Sequence, residues 1–289
     1  MKILILGGTA FLGRHLVNAA LECGHELTLF NRGQTDPDFP SQYPQVNCLQ
    51  GDRDGDDLDV LKGQEWDAVI DTSAYVPRVL RQSLECLVGR VKQYVFISTI
   101  SVYSDFSVAG VNETSPTIVL DDPLTEEVGR FYGALKALCE EAVLDVFGPQ
   151  SLIVRPGLIV GPHDPTDRFT YWPHRIAKGG EVLVPDRPNK PFQAIDARDL
   201  AKWIIESLES GLSGNFNLTG PAQPTTMGAL FETCQNTLNQ NAKLTWVDND
   251  FLLANEVGTW IEMPFWIGDM DMEGLLQCDC TKANATGLH

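Results

Sequence analysis

The sequence predicts an α/β protein: a doubly wound parallel sheet with a smaller lobe toward the C-terminus. Three observations carry this expectation. Short, nearly continuous apolar runs alternate with helical stretches through the first half, as they do when strands are buried on both faces by helices. The first run ends in Gly7-Gly8 and opens at once into a periodic helix. After Arg155 the texture turns to Pro, Gly and aromatic residues, and three of the six Trp lie beyond Pro221, enough bulk for a second small core.

Lys2–Leu6 reads as a strand, Phe11–Glu22 as a helix and residues 26–30 as the next strand. Trp66–Asp71 is a buried strand, followed by a helix over 77–88 and a strand over 93–98. A helix around 126–147 precedes a strand at 152–155. Residues 191–208 read as strand then helix, and 214–219 as a last strand. The larger domain is expected to comprise 1–156 and about 191–220, and the lobe about 157–190 and 221–289. A crevice between the two is where a ligand fits.

The chain has 289 residues and a formal net charge of −18. Such a surface repels phosphate backbones and anionic membranes, so neither nucleic acid nor a membrane is an expected partner. No apolar run approaches the ~20 residues of a membrane span. Seven scattered cysteines resemble no disulfide framework and are expected as thiols in a reducing, cytoplasmic setting. Cys278-Asp279-Cys280 lacks the second pair of ligands a zinc site needs, so no metal is expected. The acids at 54, 56, 57 and 59 have no calcium-loop spacing and read as a solvated run.

The turn Gly7-Gly8-Thr9-Ala10-Phe11-Leu12-Gly13 lies after a strand and opens a helix. Small residues let the backbone approach a pyrophosphate, and the helix N-terminus offers N–H groups and partial positive charge. This is a Rossmann-type signature, with Gly7, Thr9, Ala10, Phe11, Leu12 and Gly13 as cofactor contacts. The residue past the second strand discriminates cofactors, since an acid there accepts from the ribose 2′-OH of NAD. Here Asn31-Arg32 follows Phe30. A neutral residue beside a cation suits a 2′-phosphate, so NADP(H) is favoured and NAD(H) stays open. Asp52 and Arg53 are candidates for the adenine end, and Thr72 and Ser73, past the strand 66–71, for further contacts.

Tyr132 and Lys136 stand four apart in a helical stretch and so share a face. A phenol with a reference pKa of about 10 is a poor base at neutral pH, and a neighbouring ammonium is expected to lower that value. Such a pair can exchange a proton with a substrate oxygen while hydride moves to or from a nicotinamide. The run ending Phe96-Ile97-Ser98-Thr99 puts a hydroxyl at the sheet edge where ligands bind.

With these pieces the chain resembles the extended, atypical short-chain dehydrogenase/reductase superfamily, in its NAD-dependent epimerase/dehydratase branch. The matching segments are GGTAFLG at 7–13, GD at 51–52, FISTISVYS at 96–104, YGALK at 132–136, RPGLIVGP at 155–162 and IDARDLA at 195–201. The resemblance implies that Tyr132 is the acid/base, that Lys136 binds the ribose and tunes it, and that Thr99 is the catalytic hydroxyl. It implies that Pro156 to Leu158 flank the nicotinamide carboxamide. The GGT-x-FLG opening and Phe30-Asn31-Arg32-Gly33 resemble a branch that also contains chloroplast stem-loop RNA-binding proteins.

The departures bear on the reaction. Ala10 replaces the middle glycine. Ile100-Ser101 stand where sugar-nucleotide 4,6-dehydratases carry Asp-Glu, which argues against water elimination. Leu158 and Phe192 replace an Asn and an Arg that in relatives sit near a diphosphate. The pattern Thr281-Lys282-Ala283 to Gly287-Leu288 precedes, in relatives, a further helix that does not follow before His289. Relatives often form homodimers through the helix bearing the Tyr/Lys pair. The substrate is expected to be a small hydroxy or keto molecule, walled by Arg168, Tyr171 and Trp172. His163 and His174 flank that segment, whereas Trp246, Trp260 and Trp266 read as core or interface. Three readings stand: an NAD(P)-dependent oxidoreductase or epimerase, a nucleotide-sugar epimerase, and a non-catalytic dinucleotide-binding sensor or RNA-associated protein.

Overall fold

The structure is a computed structural model that describes residues 1–185, 187–268 and 270–288. The final residue, His289, lies outside them. Lys2–Leu6 (β1), Glu26–Asn31 (β2), Asn47–Gln50 (β3), Trp66–Asp71 (β4), Val91–Ile97 (β5), Ser151–Pro156 (β6) and Gly214–Leu218 form one parallel sheet. Its order runs from the 214–218 strand through β6, β5, β4, β1 and β2 to β3. The order reverses direction at β1, and there the loops after β1 and β4 part to leave a crevice at the C-terminal edge.

Both faces are covered because the strands are apolar on both sides. Ile3 and Ile5 pack with Leu16 and Val17 of the Phe11–Glu22 helix and with Ile204 of the Ala197–Glu209 helix. Leu4 and Leu6 pack on the other face with Leu80 and Leu84 of the Pro77–Leu87 helix and Val143 of the Val128–Phe147 helix. Among the described residues no helix is long and apolar enough to cross a membrane. All seven cysteines are free.

The lobe has its own core. Glu181–Pro185 and Lys243–Val247 pair in parallel, and the helices Tyr171–Ala177 and Met227–Leu238 pack beside them. Trp172, Phe231, Phe265 and Trp266 fill this core and are almost fully buried. One expectation is corrected here. Trp172 was expected to wall a substrate site, but its ring lies 4.5 Å from Phe231 in the lobe interior. Phe192, at the position where relatives carry an Arg, packs 4.8 Å from Phe265. Both turn inward, where burying an aromatic ring among other rings removes a large apolar surface from water.

Candidate active site

A cleft of about 1110 Å³ runs along the C-terminal edge of the sheet and under the lobe. Gly7, Thr9, Ala10, Phe11, Leu12 and Gly13 line it, as do Asn31, Arg32, Asp52, Arg53, Thr72, Ser73, Pro156 and Leu158. Thr99, Tyr132, Lys136 and Arg168 line it too. Tyr171 and Trp172 do not, so the aromatic segment contributes only its preceding arginine. Tyr171 is an exposed residue whose ring lies against Trp172, 4.9 Å away. Trp260, read as core or interface, lines the cleft instead.

The glycine turn fits a dinucleotide. The Phe11–Glu22 helix is N-capped by Ala10, whose side chain forms no cap hydrogen bond, so no side chain covers the first-turn N–H groups. Gly13 packs directly on Gly8: a Cβ there would stand 2.6 Å from the Gly8 Cα. Asn31 explains why an amide follows β2. Its Nδ2 donates to the Gly7 carbonyl at 3.2 Å and its Oδ1 accepts from the Gly33 N–H at 2.9 Å. One side chain thereby ties the two loops that a dinucleotide would bridge, and a carboxylate could not donate to Gly7. Arg32 is exposed beside it, and its guanidinium has no ionic partner among the described residues.

Arg53 departs from the adenine role expected of it. Its guanidinium donates to Asp71 at 2.7 and 2.8 Å and to Ser83 and Ser73. Tyr94 donates to the same carboxylate at 2.7 Å. Asp71 is fully buried, so it needs this cation; its carboxyl is held below the usual range against the opposing effect of burial. Asp52 instead stays at the cleft edge, its Oδ1 accepting from the Asp54 N–H.

The catalytic candidates meet at the junction of β5 and the Val128–Phe147 helix. Thr99, extended after β5, accepts from the Ser101 N–H and caps the short turn Ile100–Val102. The helix kinks at Phe131, and Tyr132 follows the kink. Gly133 makes the approach possible: a Cβ there would stand 2.0 Å from the Ser101 carbonyl oxygen. Thr99 and Tyr132 both line the cleft beside this contact. Sequence reasoning singled out the residues at either end of YGALK and overlooked Gly133, although a small residue beside a catalytic candidate is a signal of close approach.

Lys136 is 3% exposed. Its Nζ donates to the Ala74 carbonyl at 2.8 Å and the Ile97 carbonyl at 2.6 Å, and lies 4.0 Å from the Phe96 ring centre. Burial pulls its pKa down to about 8, which still leaves it mainly an ammonium at neutral pH. Two of its three N–H donors are engaged, and the third remains for a ligand. The expectation that Lys136 lowers the Tyr132 pKa is corrected. Burial and Tyr75, whose ring centre is 6.2 Å away, raise it, and only the neighbouring Thr99 hydroxyl opposes them. The lysine is fastened to backbone carbonyls rather than turned to the phenol, so Tyr132 is a neutral proton donor in this state.

Several cations near the cleft in sequence are committed elsewhere. Arg155 is buried against Glu140 and Tyr103, and Arg175 donates to the Gly179 carbonyl. His163 and His174 are exposed and do not line the cleft.

The profile of the NAD dependent epimerase/dehydratase family matches residues 3–219. The chain is 28% identical over 235 residues, 76% of its length, to the chloroplast stem-loop binding protein of 41 kDa b of Arabidopsis thaliana, and spans 58% of that relative. It is 25% identical over 240 residues to the epimerase family protein SDR39U1 of Bos taurus, covering 78% of this chain and 76% of that one. Among solved structures, the human SDR39U1 with NADPH superposes with a TM-score of 0.64 at 18% identity, over 100% of this chain and 94% of that one. The UDP-glucuronic acid 4-epimerase of Bacillus cereus with NAD gives 0.68 at 17% identity, over 99% and 92%. The chain belongs to the NAD-dependent epimerase/dehydratase family, within the extended short-chain dehydrogenase/reductase superfamily.

Proposed function

We propose that the protein is an NAD(P)-dependent oxidoreductase or epimerase that acts on a small hydroxy or keto molecule through Thr99, Tyr132 and Lys136, with NADP(H) as the preferred cofactor. The observation that carries this reading is that Tyr132 and Thr99 stand in the same cleft as the glycine turn and Arg32. A non-catalytic binder has no need of such a pair. Asn31 and Arg32 favour a 2′-phosphate, and the human SDR39U1 structure is one with NADPH.

When bound, the dinucleotide supplies a hydride to a carbonyl carbon or removes one from an alcohol carbon. The Tyr132 hydroxyl donates its proton to the carbonyl oxygen as the C–O bond gains electrons, and takes one back in the reverse direction. Thr99 holds the same oxygen in reach. Lys136, anchored by Ala74 and Ile97, keeps one N–H for a cofactor hydroxyl. Leu158 gives the cleft an apolar wall where a diphosphate would need a donor, which favours a smaller substrate over a nucleotide sugar. The net charge of −18 supports a small-molecule partner over nucleic acid.

The test follows cofactor absorbance at 340 nm with a panel of ketones, polyols and UDP- and TDP-sugars. Turnover of a small member that falls at least about 10²-fold in Tyr132→Phe, with cofactor binding intact, is expected. Unchanged turnover in that variant would remove the catalytic assignment, and micromolar binding of a nucleotide sugar would replace the substrate class. Tight, salt-dependent binding of structured RNA without turnover would point to a non-catalytic protein instead.

A further inference from the structure

At the lobe end of the cleft one cation stands without an ionic partner among the described residues. The charged side chains on the cleft wall are Arg32, Asp52, Arg53, Lys136, Asp164 and Arg168. Arg53 is engaged by Asp71, and Lys136 by two backbone carbonyls. Arg32 stands beside Asn31, at the end where the second strand leaves the sheet. Arg168 is different. It comes from the lobe segment after Gly161, is half-buried, and lies over the Trp260 ring at 5.1 Å. Its Nε donates to Thr166 Oγ1 at 3.1 Å, and no carboxylate among the described residues lies within salt-bridge distance of it.

Among the described residues, the acid whose charge acts on it is Asp164, which is 8% exposed. Asp164 Oδ1 accepts from the Thr166 N–H and hydroxyl, while Oδ2 has no hydrogen-bond partner. The two opposite charges therefore share a wall without closing on each other. An arginine stays charged even when burial lowers its pKa. Stacking on an indole fixes the guanidinium plane and leaves its terminal nitrogens for a planar or tetrahedral oxyanion. A protein with net charge −18 has little cause to keep an unpaired guanidinium in a cleft unless an anion belongs there.

We propose that the substrate carries one compact oxyanion, a carboxylate or a phosphate, which Arg168 receives on its Trp260-backed face at the lobe end of the cleft. This rests on the oxidoreductase reading and deepens it by naming the substrate's charge. The hydroxy or keto carbon then faces Tyr132 while the oxyanion sits under the lobe. Asp164 sets the selectivity: it weakens binding of every anion, so only a ligand whose charge reaches the guanidinium is retained.

Three matched probes test this: D-gluconate, D-glucose 6-phosphate and the neutral polyol glucitol. Each is titrated by calorimetry into the protein alone and into protein saturated with NADP⁺. One of the anions is expected to bind at least about tenfold more tightly than glucitol, as a charge-assisted contact allows. Which anion wins distinguishes carboxylate from phosphate. Arg168→Met should erase the preference while NADPH affinity and the unfolding midpoint stay unchanged, and Arg168→Lys should keep part of it. Asp164→Asn should tighten both anions, because the amide still accepts from Thr166 and the repulsion is gone. Equal binding of all three probes, or a preference that survives Arg168→Met, overturns the proposal. Loss of NADPH affinity in Arg168→Met would reassign the residue to the cofactor and also overturn it, leaving the oxidoreductase reading intact. Failure of the wild type to bind NADP(H) at all would strike that reading, while the titrations on the protein alone still decide the oxyanion site.

Discussion

The guanidinium of Arg53 is clamped on the carboxylate of Asp71 by two hydrogen bonds, beneath the floor of the cleft. Asp71 ends β4, at the point where the chain turns into Thr72 and Ser73, and Ser73 is held by the same carboxylate through its N–H. The ion pair therefore fixes the loop that edges the glycine turn. Removing one partner strands a buried charge, which typically costs about 3–5 kcal/mol. Asp71→Ala should lower the unfolding free energy by about that amount in urea titrations, and Arg53→Met by a similar one. The Asp71 carboxyl is held below its ordinary value, so the unfolded chain binds its proton more readily than the fold does. The stabilisation is then full above about pH 4 and lost as the pH falls further. An acid limb equally steep in wild type and Asp71→Ala would contradict this.

Arg32 and Asn31 divide the cofactor end between charge and scaffold. Arg32→Ala should weaken NADP(H) by about tenfold or more, to the level of NAD(H), by removing a charge-assisted contact to the 2′-phosphate. Asn31→Asp should weaken both cofactors, because the donor to the Gly7 carbonyl is lost and a negative charge takes its place. Fluorescence titrations of NADPH and NADH against the two variants check this. NADH binding tighter than NADPH in wild type would refute the preference.

Lys136 gives a pH signature. Its folded pKa of about 8 lies below its ordinary value near 10.5. Between those values the unfolded chain holds the proton and the fold does not, so the fold gains stability as the pH rises through that window. Relative to Lys136→Met, wild type should become progressively more stable from about pH 8 to 10. Tyr132 is shifted the other way, above its ordinary value of 10.0, by its burial. In the cofactor-free protein, the tyrosinate absorbance difference between wild type and Tyr132→Phe should therefore be missing up to about pH 10. A Tyr132 signal near neutral pH would show that the lysine does tune the phenol directly.

The sheet and the glycine end were legible because their signals are local. Gly7-Gly8 ends β1, and Lys2–Leu6, Phe11–Glu22 and Trp66–Asp71 appear in the structure with the bounds read from the pattern. The paired strands of the lobe were not, since they lie some sixty residues apart and are only five residues long each. β3 was also missed; only four residues long, it is exposed at both ends. Aromatic residues were misassigned in both directions. Trp172 closes the lobe core and Trp260 lines the cleft, because an apolar ring suits either surface and only the fold decides which it meets. Arg53 looked like a ligand contact because its counter-ion, eighteen positions later, gives no sign in the sequence that it will be buried.

Trp172 then offers a check on that reassignment. Its ring is wholly buried among Phe231 and Phe265. Truncation to Ala should cost about 3–5 kcal/mol of stability by leaving a cavity. Trp172→Phe should cost less and leave the KM for any identified substrate within about twofold, because the ring does not reach the cleft. A large KM change with unaltered stability would return Trp172 to the substrate wall.

The approach of Gly133 to the Ser101 carbonyl yields the sharpest test of the catalytic geometry. Thr99 and Tyr132 come from different elements, and they meet because the helix backbone at Gly133 lies against the loop that follows β5. A methyl group there would overlap a backbone oxygen, which cannot rotate aside as a side chain can. Gly133→Ala must push the helix or the loop outward. A displacement of about 1 Å in a catalytic contact can cost about 10²-fold in rate. The glycine turn and Arg32 lie on other strands and should be untouched, so NADPH affinity should change little while turnover falls by about 10². Thr99→Ser, which keeps the hydroxyl, should retain most activity, and Thr99→Val should lose it to a similar degree as Gly133→Ala. If Gly133→Ala turned over normally, the close approach would not be what builds this site.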